Sequence, residues 1–177
     1  LAARRTNACN MCGLCKEMCP NDVDMSEVYL YSKRIMHELD ELPPAFHTFW
    51  LNDMDFHTKE IALSKNQPGQ NIAKYLFFPG CQLGGSDPSF VYNTYCYLME
   101  HLPGGVALDT NCCGAPSEWA GYTEVTEPLL KKFDQTWENF GHPTVILACP
   151  TCGKMMKKYH PQTKTISLWE ILKSLPL

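Results

Sequence analysis

The sequence predicts an α/β fold in which a small parallel sheet is covered by helices and follows an N-terminal helical segment. Two observations lead to this prediction. After residue 70, short and wholly apolar runs alternate with helical patterns, which is typical of parallel strands that are buried on both faces. The chain has 177 residues, of which 45% are hydrophobic and 19% are charged, so a packed core is expected and intrinsic disorder is not.

The N-terminal part is predicted to be helical apart from a cysteine-rich loop at residues 9–20. Ser26 has the residue type and position of an N-cap, and a helix is predicted over 27–41. Two consecutive prolines, at positions 43 and 44, end that helix. A second helix is predicted over 53–65. The segment 67–71 contains Pro and Gly and indicates a linker.

We therefore predict two domains, residues 1–68 and residues 69–177. The second domain contains four apolar runs that predict strands, at 75–78, 106–108, 145–148 and 165–166. Four helices are predicted between and after them, over 88–102, over 126–140, from 150 through 159, and after Ser167. Asp87 and Ser167 are predicted N-caps, and Pro88 follows at the first helical position.

Composition excludes several classes of partner. The formal net charge is −4 and the basic residues form no stripe, which argues against nucleic acid and anionic membranes. No apolar run approaches the roughly 18 residues of a membrane-spanning helix. The N-terminal residues lack the apolar core of a secretion signal, so a cytoplasmic location is expected.

Ten cysteines are the most informative feature of the sequence. A disulfide framework is not expected, because the secretion signal is missing and two cysteines, Cys112 and Cys113, are adjacent. Clustered thiols in such a chain are more often metal ligands or redox groups. Cys96 lies alone within a predicted helix, where a buried and unreactive small side chain is expected.

The first group of cysteines lies near the N-terminus. Its four members are separated by three, three and four positions, and a proline follows the last of them. It consists of Cys9, Cys12, Cys15, Cys19 and Pro20. This is the bacterial ferredoxin run, which predicts a cubane [4Fe–4S] cluster. Zinc sites usually have two CxxC pairs joined by a longer spacer, and this run fits them poorly. The spacing leaves open whether Cys19 binds the same cluster or a second one, because in two-cluster ferredoxins the fourth cysteine serves the other cluster.

The second set is dispersed in sequence but is expected to converge in space. It comprises Cys81, Cys112, Cys113, Cys149 and Cys152. Cys81 and Cys149 follow predicted strands, and the adjacent pair comes shortly after another, so all should meet at the carboxyl edge of one parallel sheet. A zinc ion and a cubane each take four ligands. Five thiols therefore favour a larger or opened iron–sulfur cluster, with structural zinc as the alternative.

The pattern Cys81…Cys112-Cys113-Gly114…Cys149-x-x-Cys152 resembles the CCG domain of the heterodisulfide reductase family, whose members include an iron–sulfur subunit of anaerobic glycerol-3-phosphate dehydrogenase. The resemblance implies that the five cysteines bind a noncubane [4Fe–4S] cluster at which a disulfide is cleaved. The CCG-bearing subunit of heterodisulfide reductase carries two CCG motifs, whereas this chain has one. Residues 29–59 look like the linker of large flavin-containing oxidoreductases, which implies that the chain is a fragment of such a protein with a flavoprotein electron donor.

The sequence thus predicts a thiol/disulfide oxidoreductase module with two iron–sulfur clusters. Electrons are expected to enter at the ferredoxin-type cluster and to pass to the CCG cluster, where a disulfide is reduced or a thiol binds. A second hypothesis keeps both clusters as an electron relay to a flavin or quinone partner. A third assigns structural zinc to the CCG site. A thioredoxin-like dithiol at Cys149 and Cys152 is a further alternative.

Overall fold

The computed structural model describes residues 2–43 and 45–176. The chain divides into two compact units. One, here called the N-terminal unit, contains the residues up to Asp53 together with Gly114–Pro128. The other, here called the sheet unit, contains Met54–Cys113 and the chain from Leu129 onward. The domain boundary predicted at residue 68 stays a prediction.

The first three helices are α1 (Ala2–Asn7), α2 (Leu14–Met18) and α3 (Met25–Glu38). The prediction that Ser26 caps α3 is wrong, because the Asp24 side chain accepts a hydrogen bond from the Ser26 backbone amide at 2.9 Å. The helix therefore begins two residues before the predicted start, and Ser26 becomes a buried residue of its first turn. Of the two prolines predicted to end it, Pro44 lies outside the described residues.

The region predicted as one helix over 53–65 contains three elements instead. Helix α4 (Thr48–Phe56) ends in a π-helical turn, His57–Ile61, and strand β1 (Ser64–Lys65) follows. Strand β1 pairs antiparallel with the strand that contains Asp109. This pairing depends on a partner 45 residues away, so no local pattern predicted it.

The four predicted strands form the rest of a five-stranded sheet. They are β2 (Tyr75–Phe78), β3 (Val106–Asp109), β4 (Thr144–Leu147) and β5 (Thr165–Ser167). The strand order is β1-β3-β2-β4-β5, and the β2–β3, β2–β4 and β4–β5 pairs are parallel. The predicted α/β fold with a parallel sheet is confirmed, with β1 as an added antiparallel edge.

Six helices connect or follow these strands: α5 (Gly80–Ser86), α6 (Pro88–His101), α7 (Ala115–Ala120), α8 (Thr123–Asn139), α9 (Pro150–Tyr159) and α10 (Leu168–Ser174). Asp87 caps α6, and Ser167 caps α10 through a capping box, as predicted. Neither α5 nor α7 was predicted, because each is too short to show an amphipathic period.

The core of the sheet unit lies between the sheet and the helices that pack on it. Phe77, Val106 and Ile146 from three neighbouring strands are 0% exposed, as is Leu98 from α6. Burying each such side chain contributes about 1.5–3 kcal/mol to folding. This packing fixes the ends of the strands, and the second set of cysteines follows those ends. No helix in the described part of the chain is long and apolar enough to span a membrane.

Candidate metal centre

The carboxyl ends of β2, β3 and β4 carry the five dispersed cysteines. Cys81 lies in the first turn of α5, directly after β2. Cys112 and Cys113 lie in the loop after β3, and both are buried. Cys149 is the N-cap of α9, and Cys152 lies in the first turn of that helix at 1% exposure. The parallel topology therefore places all five side chains at one edge of the sheet.

Hydrogen bonds connect the five thiols in two groups, one of two cysteines and one of three. The Cys81 thiol is hydrogen-bonded to Cys112. This hydrogen bond, together with burial, raises the pKa of Cys81 far above its ordinary value. The Cys152 thiol is hydrogen-bonded to Cys113 and Cys149, and these hydrogen bonds raise the pKa of Cys152 as well. The charge of Cys149 also acts on Cys81, so the two hydrogen-bonded groups are neighbours.

Cys149 is the thiolate of this group. The hydrogen bond from the Cys152 thiol lowers the pKa of Cys149 to about 5, although its partial burial opposes the change. The backbone amides of Thr151 and Cys152 add hydrogen bonds, because the free N–H groups of the first helical turn point at an N-cap sulfur. The start of α9 therefore favours negative charge on the sulfur.

Gly80 makes room for two of these cysteines. Its φ is +72°, and a Cβ atom built on it would lie 3.0 Å from Cys152 Sγ and 3.3 Å from Cys149 Cβ. The space beside the sulfurs is thus kept free by the absence of a side chain, as expected where backbone approaches a bound group closely.

The loop that carries Cys112 and Cys113 is held by a buried polar network. Asp109 is 0% exposed, and its Oδ1 atom accepts hydrogen bonds from Ser64 Oγ at 2.9 Å and from the Asn111 backbone amide at 3.1 Å. His57 Nε2 lies 2.6 Å from the Thr110 carbonyl oxygen. Burial raises the pKa of Asp109. The sequence analysis did not predict this network. The only indication of it in the sequence is that an Asp and an Asn flank Thr110.

Two open cavities reach the site at the same residue. One has a volume of about 320 Å³ and is lined by Leu83, Phe90, Ala148 and other residues that include Cys149. The other, of about 350 Å³, lies on the side of Trp169 and also includes Cys149. A small molecule can therefore approach Cys149, whereas the sulfurs of Cys112, Cys113 and Cys152 are buried.

The N-terminal cysteines lie before, within and directly after α2. Cys12 is exposed, and Cys9, Cys15 and Cys19 are partly buried. Gly13 precedes α2 with a φ of +79°, which gives the loop its sharp turn. The Ser26 hydroxyl lies 3.6 Å from Cys15 Sγ, and hydrogen bonding to it lowers the pKa of Cys15.

Lys33 is a second feature of this loop that sequence reasoning missed. It is 0% exposed, and its Nζ atom donates to the carbonyl oxygen of Cys9 at 2.6 Å and to that of Trp119 at 2.8 Å. Burial lowers its pKa, and its electrostatic interaction with Cys9 opposes that change. Ser26, Leu30 and Lys33 have helical spacing on the buried face of α3, which was the available signal.

In the described part of the chain, which contains all ten cysteines, no disulfide bond is present. Cys96 is partly exposed rather than buried, since it faces Tyr92 on the outer part of α6. Across residues 2–43 and 45–176, no three His, Cys, Asp or Glu side chains are arranged around the position of a single metal ion.

Comparison with known families identifies the domain that contains the five-cysteine group. Residues 75–157 match the model of the CCG family, described as a cysteine-rich domain. This range includes the five cysteines of the sheet edge. Residues 75–157 are thus similar to the CCG cysteine-rich domain. The resemblance predicted from Cys112-Cys113-Gly114 and its partners is confirmed.

Two curated relatives extend the similarity beyond the CCG domain. A fumarate reductase (CoM/CoB) subunit of Methanothermobacter marburgensis is 25% identical over 173 residues, which cover 87% of this chain and 32% of that protein. An uncharacterized iron-sulfur protein of Methanococcus maripaludis is 22% identical over 178 residues, which cover 88% of this chain and 34% of that protein. The chain spans about a third of the length of both relatives. No solved structure matches it.

The residues present at the CCG edge fit an iron–sulfur group. All five donors are thiols, the soft ligands that such clusters use. Backbone amides at the start of α9 complement negative charge, and Gly80 leaves the close approach open.

Proposed function

We propose that the chain is an iron–sulfur oxidoreductase module with two cluster sites. The loop with Cys9, Cys12, Cys15 and Cys19 would hold a cubane [4Fe–4S] cluster. The five CCG thiols would hold a noncubane [4Fe–4S] cluster. The observation that carries the proposal is the group of five hydrogen-bonded thiols at one sheet edge, which exceeds the four ligands of zinc or of a cubane.

The names of the relatives support redox chemistry. One is a reductase subunit and the other an iron-sulfur protein. A subunit acts with partners, so we propose that a flavoprotein domain or subunit donates the electrons. When bound, the clusters supply one-electron transfer and an iron that can bind sulfur. The chain contributes ligands, orientation and control of access to them.

Access at Cys149 favours chemistry at the CCG site over relay alone. Cys112, Cys113 and Cys152 are buried. Both cavities are lined in part by Cys149. An electron relay needs no such space, whereas a thiol or disulfide substrate does. We therefore propose that a thiol or disulfide binds there and that a disulfide is reduced with two electrons and two protons to two thiols.

Metal analysis tests the proposal first. Protein prepared without oxygen is assayed for iron, acid-labile sulfide and zinc. Iron and sulfide equivalent to two four-iron clusters are expected. Zinc at the CCG site, with iron for one cluster alone, would contradict the five-ligand proposal.

Adding a thiol or disulfide to the oxidised protein separates chemistry from relay. Electron paramagnetic resonance reports the environment of each cluster. A changed CCG signal is expected when the added sulfur compound binds. A signal that is unchanged at saturating concentrations would favour the relay hypothesis.

A further inference from the structure

Lys33 is a buried lysine whose ammonium group is bound by backbone carbonyl oxygens. Its ammonium group is 0% exposed and contacts the carbonyl oxygens of Cys9 and Trp119. Burial lowers the pKa of the His47 imidazole. The charge of the neighbouring Lys33 lowers that pKa further.

The residue that follows Lys33 in α3 forms an ion pair. Arg34, the next residue of α3, pairs with Glu118 of α7 at 3.2 Å. Packing at the adjacent turn is tight, because a Cβ atom on Gly121 would lie 2.9 Å from the Lys33 carbonyl carbon and from the Arg34 backbone nitrogen. The backbone of Lys33 is thus held in place, and its side chain is directed toward the cysteine loop.

A buried ammonium is costly unless an opposite charge lies near it. The loop begins at Cys9, whose carbonyl oxygen is 2.6 Å from Lys33 Nζ. Four thiolates around a cubane cluster carry net negative charge, which would supply an opposite charge near Lys33. The role of Lys33 developed below rests on the proposed function, namely that the loop binds a cluster.

We propose that Lys33 is the counter-charge of the cluster bound at Cys9, Cys12, Cys15 and Cys19, and that it raises the reduction potential of that cluster. Reduction adds one negative charge to the cluster. A fixed positive charge nearby favours the reduced state, and its effect is larger in a water-excluded site than at the surface. Lys33 is therefore a positioning residue that also sets the ease with which the loop cluster accepts an electron.

The proposal is tested with three substitutions in the cluster-loaded chain. Lys33→Met removes both charge and hydrogen bonds, Lys33→Gln removes the charge but keeps a donor, and Lys33→Arg keeps both. Midpoint potentials are measured by redox titration with paramagnetic resonance, and the CCG signal serves as an internal reference. We expect more negative midpoints for Met and Gln, a value near wild type for Arg, and no change in the CCG signal.

Lys16→Met is the matched control. Lys16 is adjacent to Cys15 but exposed, so solvent screens its charge and a small shift is expected. An unchanged midpoint in Lys33→Gln, or an equal shift in Lys16→Met, would overturn the proposal. If circular dichroism shows that Lys33→Met does not fold, the midpoint potentials of Lys33→Gln and Lys33→Arg still test the proposal.

A separate variant distinguishes this proposal from the proposed function. Cys12→Ser should lose iron equivalent to the loop cluster. If it loses none, the loop binds no cluster and both proposals fall. If it loses iron but Lys33→Gln does not move the midpoint, the role of Lys33 alone is wrong.

Discussion

Replacing Gly80 by Ala tests whether the space beside Cys149 and Cys152 is needed by the CCG site. The left-handed backbone of Gly80 costs alanine about 1–2 kcal/mol. The new Cβ atom would also lie 3.0 Å from Cys152 Sγ, and overpacking of this kind adds about 1–3 kcal/mol. We therefore expect Gly80→Ala to lower the free energy of unfolding by about 2–5 kcal/mol and to reduce iron at the CCG site.

Gly69→Ala is the matched control for this prediction. Gly69 has a similar φ of +80°, but nothing lies within 4 Å of a Cβ atom built there. Only the backbone cost of about 1–2 kcal/mol is expected, with full iron content. Urea unfolding of the cluster-free protein measures the free energy of unfolding. Iron analysis of the cluster-loaded protein measures the iron content. Equal unfolding free energies and equal iron in the two variants would refute the reasoning.

Two further predictions concern the CCG loop. Cys113→Ala should abolish the CCG cluster and spare the ferredoxin-type cluster, whereas Cys96→Ala should leave iron content unchanged; unchanged iron in Cys113→Ala would show that five ligands are too many. Burial raises the pKa of Asp109 above its ordinary value of 3.8, so the folded state binds more protons than the unfolded state as pH rises from 3.8 toward the raised value. Over that window the unfolding free energy of the wild type should fall relative to that of Asp109→Asn, as measured by urea unfolding at several pH values. A difference between the two proteins that is independent of pH would contradict this prediction.

The local patterns of the C-terminal part predicted its elements well. Tyr75–Phe78 was predicted residue for residue, and the caps at Asp87 and Ser167 were confirmed. Such features depend on neighbours in sequence, which a pattern records. One error arose because a distant partner decided the outcome, since Ser64–Lys65 pairs with β3 instead of continuing a helix.

The candidate ligands were predictable for a similar reason, and their surroundings were not. Cysteine spacing is visible in one dimension, and the rule that parallel strands end at one edge extends it to residues far apart. Lys33 shows the limit, because a lysine in a helix usually faces solvent. Only the packing of α3 against α7 reveals that this one is buried against the Cys9 carbonyl.

The order of apolar runs and the spacing of thiols thus determined the fold class and the residues suited to bind a cluster, because periodicity and ligand type are properties of the chain itself. Tertiary structure decided which thiols share hydrogen bonds, where Gly80 leaves room and which charge is buried beside the N-terminal loop. These properties depend on distances between residues remote in sequence, and packing fixes those distances only when the chain folds.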